Sequence, residues 1–538
     1  METAASAPAF SLAACSAALE AALRGPGCAD GRVWFKESSG RNLKSRDWIA
    51  PRAALSKLYP RGQVPEDLIE RLLSEYRHRL YIQSCKQTGS GLAILMDHPA
   101  LFTHVLGNML LYTRPLKVLS AKKKCVILNC APLQENKGSE SLTVSHLRTI
   151  LLVDHLAEVL RQQGWEVHIT PNLALKTSVY NFLKLLRVTW PCTQQTTSNE
   201  EAVSNFKKIL SESVYTQLGK DKASSNQAQN MLPEDVLFKV HLKQFVKDKE
   251  LEGYDANLDM ALVKEEALRQ IAELQHKVEK ENAEDGLVIH VVGCEEEFQQ
   301  QKIDLLWRIL NTSRDRVTQK HLVCGSVKVI GESSHINAVQ YFQFRRSQMQ
   351  EASVMKYGNL VQGDSWTEII CSMTSATIRF ELLATAHRTP VNLDLTQAVN
   401  ISTKGTKSGA FVMYNCARLA TLFDHFNKSV QQGLYPKFPE TSQLNFSALQ
   451  EEEVLCQTMQ SLSSTKGIRL TINTETVCKF LVNLSIDFSS YYNRVHILGE
   501  PLEHLFNQMF ARLQLMKALR EVFHTALGTL HVTPPSQL

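Results

Sequence analysis

Apolar and polar positions in residues 125–170 follow a strand–helix–strand pattern. Residues 125–130 form a mostly apolar run of strand length, whereas residues 143–164 place apolar side chains at helical spacing. Residues 165–170 then form a second short run that is typical of a strand. A strand, a loop, a helix and a strand make one βαβ unit. In such a unit the carboxyl end of the first strand and the helix N-terminus form a ligand crevice.

The second half of the chain repeats this pattern and then becomes helical. Residues 287–294 predict a buried strand, residues 296–310 a helix, and residues 321–331 a further strand. Residues 357–388 have a mostly helical pattern, and so does the chain from residue 409 onwards. The helices predicted there are 410–428, 447–462, 474–493 and 501–530. The expected architecture is therefore an α/β core followed by an all-α bundle.

Two further regions precede and interrupt this core. Residues 1–118 mix basic and apolar positions and predict a small α+β domain, whose basic face is either solvated or contacts RNA phosphates. Residues 190–285 turn polar and predict a partly flexible insertion in the core. Within it, residues 260–284 predict a single exposed amphipathic helix, either a solvated arm or a docking surface. The expected domains are 1–118, 119–400 and 401–538.

Composition narrows the class of protein only modestly. The 538 residues are 44% hydrophobic and carry a net charge of +5, which permits nucleic-acid binding without requiring it. The twelve cysteines form no Cys-x-x-Cys pair, which indicates reduced, mostly buried thiols and no zinc site. No apolar run has the length of a transmembrane helix, and the N-terminus lacks the early basic residues of a presequence or secretory signal. We therefore expect a cytoplasmic protein that does not contact membranes.

The helix that opens at residue 143 carries a family resemblance. Class I aminoacyl-tRNA synthetases, and arginyl-tRNA synthetases in particular, place a His-Ile-Gly-His signature at this turn, followed by Leu-Arg. The chain is similar to them at His146, Leu147, Arg148, Asp154, Leu156, Ala157, Leu160 and Gly164. Thr143 stands in place of the first signature His, and Ser145 stands in place of the Gly. The resemblance implies a Rossmann-like, synthetase-type core with a degenerate nucleotide site at Thr143, Ser145 and His146.

The second ATP signature of that family is altered as well. After Gly331 a synthetase carries a Lys-Met-Ser-Lys-Ser motif or a relaxed form of it, whose lysines neutralise charge on the transferring phosphates. Here residues 332–337 read Glu-Ser-Ser-His-Ile-Asn. Loss of most of both signatures implies that adenylate formation is lost, so we expect neither enzymatic activity nor a cofactor. His146 is then expected to pack at the helix start, and Asp154 to stabilise the first helical turns or a buried polar contact.

The helical end of the chain resembles the DALR anticodon-binding domain, which is named for an Asp-Ala-Leu-Arg tetrapeptide. Lys517 stands at its first position, and residues 518–520 read Ala-Leu-Arg. A bundle that reads single-stranded bases needs aromatic rings for stacking and arginines for phosphates or base edges. The expected RNA-binding residues are Arg418, Tyr491, Tyr492, Arg494, Arg512 and Arg520. The structural alternatives are core positions for the two tyrosines and salt bridges for Arg418 and Arg520.

The resemblance implies a non-catalytic tRNA-binding factor that still binds arginine tRNA and no longer aminoacylates it. A tRNA-binding protein that catalyses no reaction needs an enzyme that acts on the bound tRNA, which we call its client enzyme. The resemblance further implies that arginine tRNA is presented to an anticodon-loop modifying enzyme, for which we name a 3-methylcytidine methyltransferase. The insertion around residues 260–284 is the expected docking surface for that enzyme. Two alternatives stay open: a divergent synthetase with weak ATP-dependent activity, and a protein scaffold that works without RNA.

Overall fold

The N-terminal part of the chain folds into a small α+β domain. The computed structural model describes residues 10–24, 33–38, 45–113, 124–134, 138–193, 200–218, 235–281, 286–311, 317–331, 336–358, 363–395, 409–446 and 468–535. The first elements are α1 (Leu12–Arg24), β1 (Lys36–Glu37), β2 (Trp48–Pro51), α2 (Arg52–Leu55), α3 (Glu66–Tyr76), β3 (Ile82–Thr88), β4 (Gly91–Met96), α4 (His98–Gly107) and α5 (Leu110–Thr113). The strands form an antiparallel sheet of order β1-β2-β4-β3. Leu19, Trp48 and Ile94 belong to its buried core, so the predicted α+β domain is confirmed.

The predicted βαβ unit follows. Its elements are β5 (Cys125–Cys130), α6 (Val144–Gln162), β6 (Glu166–Thr170), β7 (Leu173–Ala174), α7 (Ser178–Leu185) and β8 (Cys192–Thr193). Strand β5 is buried along almost its whole length, and α6 is buried on most of its faces. That explains why the sequence of β5 reads as a nearly continuous apolar run. Gly164, with a φ of 82°, lets the chain leave α6 and enter the next strand.

The insertion is a folded lobe whose buried core is continuous with α11 and one face of the parallel sheet. It contains α8 (Glu200–Glu212), β9 (Thr216–Leu218), β10 (Val236–His241), α9 (Leu242–Asp248), β11 (Met260–Lys264) and α10 (Glu265–Lys280). The prediction of one exposed helix over residues 260–284 is wrong. Met260–Lys264 is a strand that pairs antiparallel with β10. Leu268, Ile271 and Leu274 of α10 are buried in the lobe core, because they cover the inner face of this sheet.

The second half of the core completes a four-stranded parallel sheet. Its elements are β12 (Leu287–Gly293), α11 (Glu297–Leu310), β13 (Thr318–Cys324), β14 (Val327–Ile330), α12 (Ala338–Tyr357), α13 (Asp364–Leu383) and β15 (Val391–Asp394). The strand order is β13-β12-β5-β6, with all pairs parallel. The single strand predicted over residues 321–331 is two strands, since the chain leaves the main sheet after Cys324 and β14 pairs with β15 instead.

The remaining described residues form the helical bundle α14 (Gly409–Gln431), α15 (Thr476–Arg494) and α16 (Glu503–Gly528). The predicted helix 447–462 lies outside the described residues. Aromatic rings fill the centre of the bundle, where Phe426 packs edge-on against Phe438 and Phe510. An α/β core, an all-α bundle and a small N-terminal domain are thus confirmed as the fold class.

Contacts at several places hold the bundle on the rest of the molecule. Asp154 of α6 forms a buried ion pair with Arg379 of α13, with 2.9 Å between Oδ2 and Nη1, and accepts a hydrogen bond from His531 after α16. The N-terminal domain touches the bundle too, because Gln514 Nε2 of α16 donates to the Leu106 carbonyl. The segment before α15 extends the edge of β13, since His321 N donates to the Ile468 carbonyl at 2.7 Å.

Candidate functional site

At the start of α6, where the ligand crevice was predicted, polar side chains bond to groups of the same chain. The carboxyl ends of β5 and β12 meet the N-terminus of α6 there. Thr143 Oγ1 accepts a hydrogen bond from His146 N, and Thr143 N donates to His146 Nδ1 at 3.4 Å. Because Nδ1 accepts, the ring proton lies on Nε2, which is 2.8 Å from Glu296 Oε1. The histidine at the second signature position is therefore bound to the carboxylate of Glu296, which lies at the start of α11.

The neighbouring polar groups of the crevice are engaged in the same way. Ser145 Oγ accepts a hydrogen bond from Val327 N at 2.9 Å, which ties α6 to β14. The second carboxylate oxygen of Glu296 accepts from Gly293 N at 3.3 Å. A carboxylate thus stands beside the helix N-terminus, where an anionic ligand would otherwise be favoured. The carboxylate disfavours the binding of phosphate groups by its charge.

Arg148 of the Leu-Arg pair is a structural residue. It is almost fully buried, and its guanidinium donates only to main-chain carbonyls. They belong to Gly325, Leu382, Thr385, Ala386 and Thr389. Most of these carbonyls lie at or just beyond the C-terminus of α13, where a cation complements the helix dipole. Arg148 therefore fixes the packing of α6 on α13 and is not directed at a ligand.

A buried polar network connects the parallel sheet to the lobe. Asp304 of α11 accepts hydrogen bonds from Arg308 Nε at 2.8 Å and Tyr254 OH at 2.9 Å, and its Oδ2 lies 3.0 Å from His321 Nε2. Burial alone raises the pKa of Asp304, but His321 and Arg308 outweigh it and lower that pKa to about 2. Tyr254 belongs to the lobe, so the charged carboxylate joins three elements.

The described residues contain neither a cluster of metal ligands nor a membrane-spanning helix. Among them no three His, Cys, Asp or Glu side chains lie close enough together to hold a metal ion. The cysteines of the described ranges are free thiols. No helix in those ranges has both the length and the apolar character that crossing a membrane requires.

The bundle carries a partly exposed aromatic and basic cluster between α14 and α15. The guanidinium carbon of Arg418 lies 4.2 Å from the ring centre of Tyr492 and 5.6 Å from that of Tyr414. Its two terminal nitrogens donate to Ser489 Oγ at 3.3 Å and Asn493 Oδ1 at 3.2 Å. Tyr414 is 40% exposed, so one ring of the cluster is open to solvent. We call Tyr414, Arg418, Ser489, Tyr492 and Asn493 the Arg418 cluster.

The other four predicted RNA-binding residues lie in four different places. Tyr491 is buried in the core, as the structural alternative had it. Arg494 is exposed at the end of α15, next to the Arg418 cluster, and its Nε donates to Ser490 O at 3.4 Å. Arg512 Nη1 donates to His496 O at 3.0 Å and so borders the connection between α15 and α16. Arg520 stacks on Phe423, 4.3 Å from the ring centre, on the side where α14 faces α16.

Sequence reasoning found two members of the Arg418 cluster and missed three. Tyr414 lies four residues before Arg418 on α14, and Ser489 lies four residues before Asn493 on α15. Residues four apart share one face of a helix. That spacing was present in the sequence, but the pairing of the two helix faces was not.

Comparison with known proteins agrees with this architecture. A model of the DALR anticodon binding domain matches residues 412–538, and a model of the DALR N-terminal domain matches residues 10–112. The second match was missed by sequence reasoning, which found no family motif in that domain. A Danio rerio protein described as DALR anticodon-binding domain-containing protein 3 is 42% identical over 98% of this chain and 99% of its own length. The chain belongs to the DALR anticodon-binding domain-containing protein 3 family.

A second member of the family gives the same result. The Mus musculus protein of that description is 43% identical over 97% of this chain and 98% of its own length. Among solved structures, Thermus thermophilus arginyl-tRNA synthetase superposes with a TM-score of 0.56 at 14% identity, covering 98% of this chain and all of that one. This likeness shows a synthetase-type fold. An anticodon-binding domain on such a fold indicates tRNA binding.

Proposed function

We propose that the protein is a non-catalytic tRNA-binding factor that recognises arginine tRNA through its C-terminal bundle. The observation that carries the proposal is the Arg418 cluster, which lies within the part of the chain matched by the anticodon-binding domain. Bases of a single-stranded loop stack on aromatic rings and on arginine planes. Arg418 and Tyr492 offer both surfaces in one place, with Arg494 beside them for a phosphate.

The N-terminal domain carries exposed arginines on the same molecule, beside exposed carboxylates of α3. Arg71, Arg77 and Arg79 are exposed and form no ion pair within the described ranges. Unpaired arginines bind phosphates by releasing counterions, which adds affinity without sequence preference. Because α4 packs on α16 through Leu106, the domain is held against the bundle. We therefore expect these arginines and the Arg418 cluster both to contribute to the binding of one tRNA.

The proposal includes the loss of ATP-dependent arginine activation. His146 is bonded to Glu296 and Ser145 to Val327, so neither is available to phosphate groups. The lysine-rich loop of the synthetases is replaced by an acidic and polar sequence, of which residues 332–335 lie outside the described ranges. Without positive groups the charge on the transferring phosphates is not neutralised. We expect no arginine-dependent ATP–pyrophosphate exchange, and measurable exchange would support the divergent synthetase instead.

The client of the bound tRNA is proposed to be a 3-methylcytidine methyltransferase that acts in the anticodon loop. A factor that binds arginine tRNA and performs no reaction has a use only if an enzyme acts on the complex. In a reconstituted reaction the factor should raise methylation of arginine tRNA and leave that of other tRNA substrates unchanged. Equal methylation with and without the factor would contradict this half of the proposal.

The interface itself is tested by changing the Arg418 cluster. Tyr492→Ala should weaken tRNA binding by about 1–3 kcal/mol, the usual effect of removing one stacking ring. Arg418→Met keeps much of the stem volume, removes the charge and should also weaken binding. Lys479→Ala is the matched control, because Lys479 lies on the same helix, is exposed and pairs only loosely with Glu475 at 3.4 Å. Binding is measured by anisotropy of labelled tRNA at one fixed salt concentration. Unchanged affinity in both cluster variants would remove this site from the proposal.

A further inference from the structure

The lobe presents one sheet face that the described residues leave uncovered. In the sheet of order β11-β10-β9, Phe238, Val240 and Val263 point inward and are buried. The alternate residues point outward. Met260 is 38% exposed and Leu262 is 51% exposed, although both are large apolar side chains. We call Lys239, Met260 and Leu262 the outer sheet face.

Strand β11 is also an edge strand. It stands at the end of the sheet and pairs only with β10 within the described ranges. An exposed edge strand with apolar side chains is a template for pairing with another chain, and proteins normally protect such an edge with charges, proline or a covering element. Here the middle of the edge carries Leu262. A strand with this exposure favours the addition of a further strand from a partner.

The charges around the face define the chemistry of that partner. Lys264 pairs with Asp235, and Lys243 pairs with Asp259 at 2.9 Å, so both ends of the sheet are internally neutralised. Lys239 lies directly opposite Leu262 in the register and forms no ion pair among the described residues. The centre of the face therefore combines two apolar side chains with one unpaired positive charge.

We propose that this outer sheet face docks a protein segment that adds a strand to β11 and carries apolar and acidic side chains. The inference rests on the proposed function and places the client methyltransferase on the lobe, away from the Arg418 cluster. The outward positions of β11 are Met260, Leu262 and Lys264, which offer no aromatic ring for base stacking, so the face is not suited to RNA. A second copy of this chain that pairs edge to edge through β11 is the alternative occupant, and the test distinguishes it.

The test uses the full chain, arginine tRNA and a purified tRNA 3-methylcytidine methyltransferase. Leu262→Asp should weaken binding of the methyltransferase about tenfold or more, because it places a charge in the apolar centre and repels an acidic strand. Leu262→Thr, which keeps strand propensity, should weaken it less while leaving the lobe folded. Lys239→Glu should weaken binding as well, and added salt should reduce the difference between this variant and the wild type. All three variants should bind tRNA as the wild type does.

Leu185→Asp is the matched control, since Leu185 is 50% exposed on α7 of the core. This variant should bind the enzyme normally. Normal enzyme binding by Leu262→Asp, or an equal loss in the Leu185 variant, overturns the docking site. A wild-type dimer that Leu262→Asp dissociates in sedimentation also overturns it in favour of self-association. Wild-type protein that binds tRNA but not the methyltransferase refutes the partner in the proposed function and leaves the tRNA half standing, so the two failures are distinguishable.

Discussion

Replacing Asp154 with Asn should destabilise the molecule strongly, because Asp154 is the counter-ion of a fully buried arginine. Arg379 has no exposed surface, and its guanidinium lies 2.9 Å from the Asp154 carboxylate. The substitution keeps the shape of the side chain and removes its charge. Arg379 is then left with a hydrogen bond to the Leu186 carbonyl at 3.2 Å. Breaking a buried ion pair on one side costs about 3–5 kcal/mol.

The pH dependence of this effect has a definite sign. Burial by itself raises the pKa of Asp154, but Arg379 and His531 hold the pKa of that carboxyl below its usual value. A folded-state pKa that is lowered contributes stability above the unfolded pKa of about 3.9, and this stability is lost as pH falls through the folded value. The difference between wild type and variant should therefore be constant near neutral pH and should narrow only in acid.

The measurement is thermal unfolding at pH 7 and at several lower pH values. A loss of about 3–5 kcal/mol corresponds to roughly 6–20 °C in melting temperature for a unit of 150–250 residues. Glu158→Gln is the control, since Glu158 lies one turn further along α6, is partly exposed and stands 3.7 Å from His531 Nε2. It should cost less than about 1 kcal/mol. If Asp154→Asn is no more destabilising than Glu158→Gln, the proposed role of the buried pair is refuted.

Two further predictions concern contacts between the parts of the molecule. Leu106→Ala should remove about 2–5 kcal/mol of packing where the N-terminal domain meets Ala511 and Ala518. Calorimetry should then show an earlier, separate transition for the domain, and a single unchanged transition would contradict the contact. Asp304→Asn should remove about 2 kcal/mol of stability, because the pKa of Asp304 is lowered to about 2. Its stability curve should meet that of the wild type as pH falls from about 4 towards 2, whereas a constant difference down to pH 2 would speak against a charged Asp304.

The local sequence was sufficient to predict an element where burial produced a clear pattern of apolar residues. Strand β5 reads as an apolar run because it is covered on both faces, and its predicted bounds are those of the structure. The long helices of the bundle were predicted within a few residues because their apolar faces repeat at helical spacing. The degenerate nucleotide site stays a prediction from single residues, since Thr143 and Ser145 replace groups whose chemistry they do not share.

Non-local pairing was what the sequence did not reveal. Met260–Lys264 alternates between apolar and polar exposure, yet its residues also fit the helical spacing of the segment that follows, so one long helix was predicted. Only the pairing with β10 decides the strand. Tyr414 was missed for the same reason, because its role depends on Arg418 meeting Tyr492 on another helix. Tyr491 and Tyr492 are neighbours in sequence, and packing alone buries the first and leaves the second partly exposed.

The central proposal is that the bundle binds arginine tRNA through the Arg418 cluster. The most direct test is to crosslink RNA to the full chain in cells and to sequence what copurifies with the wild type and with Arg418→Met. Arginine-accepting tRNA should be enriched over all other tRNA families with the wild type, and the variant should lose most of that enrichment. An RNA profile without preference for arginine-accepting tRNA, or one that Arg418→Met leaves unchanged, would contradict the claim.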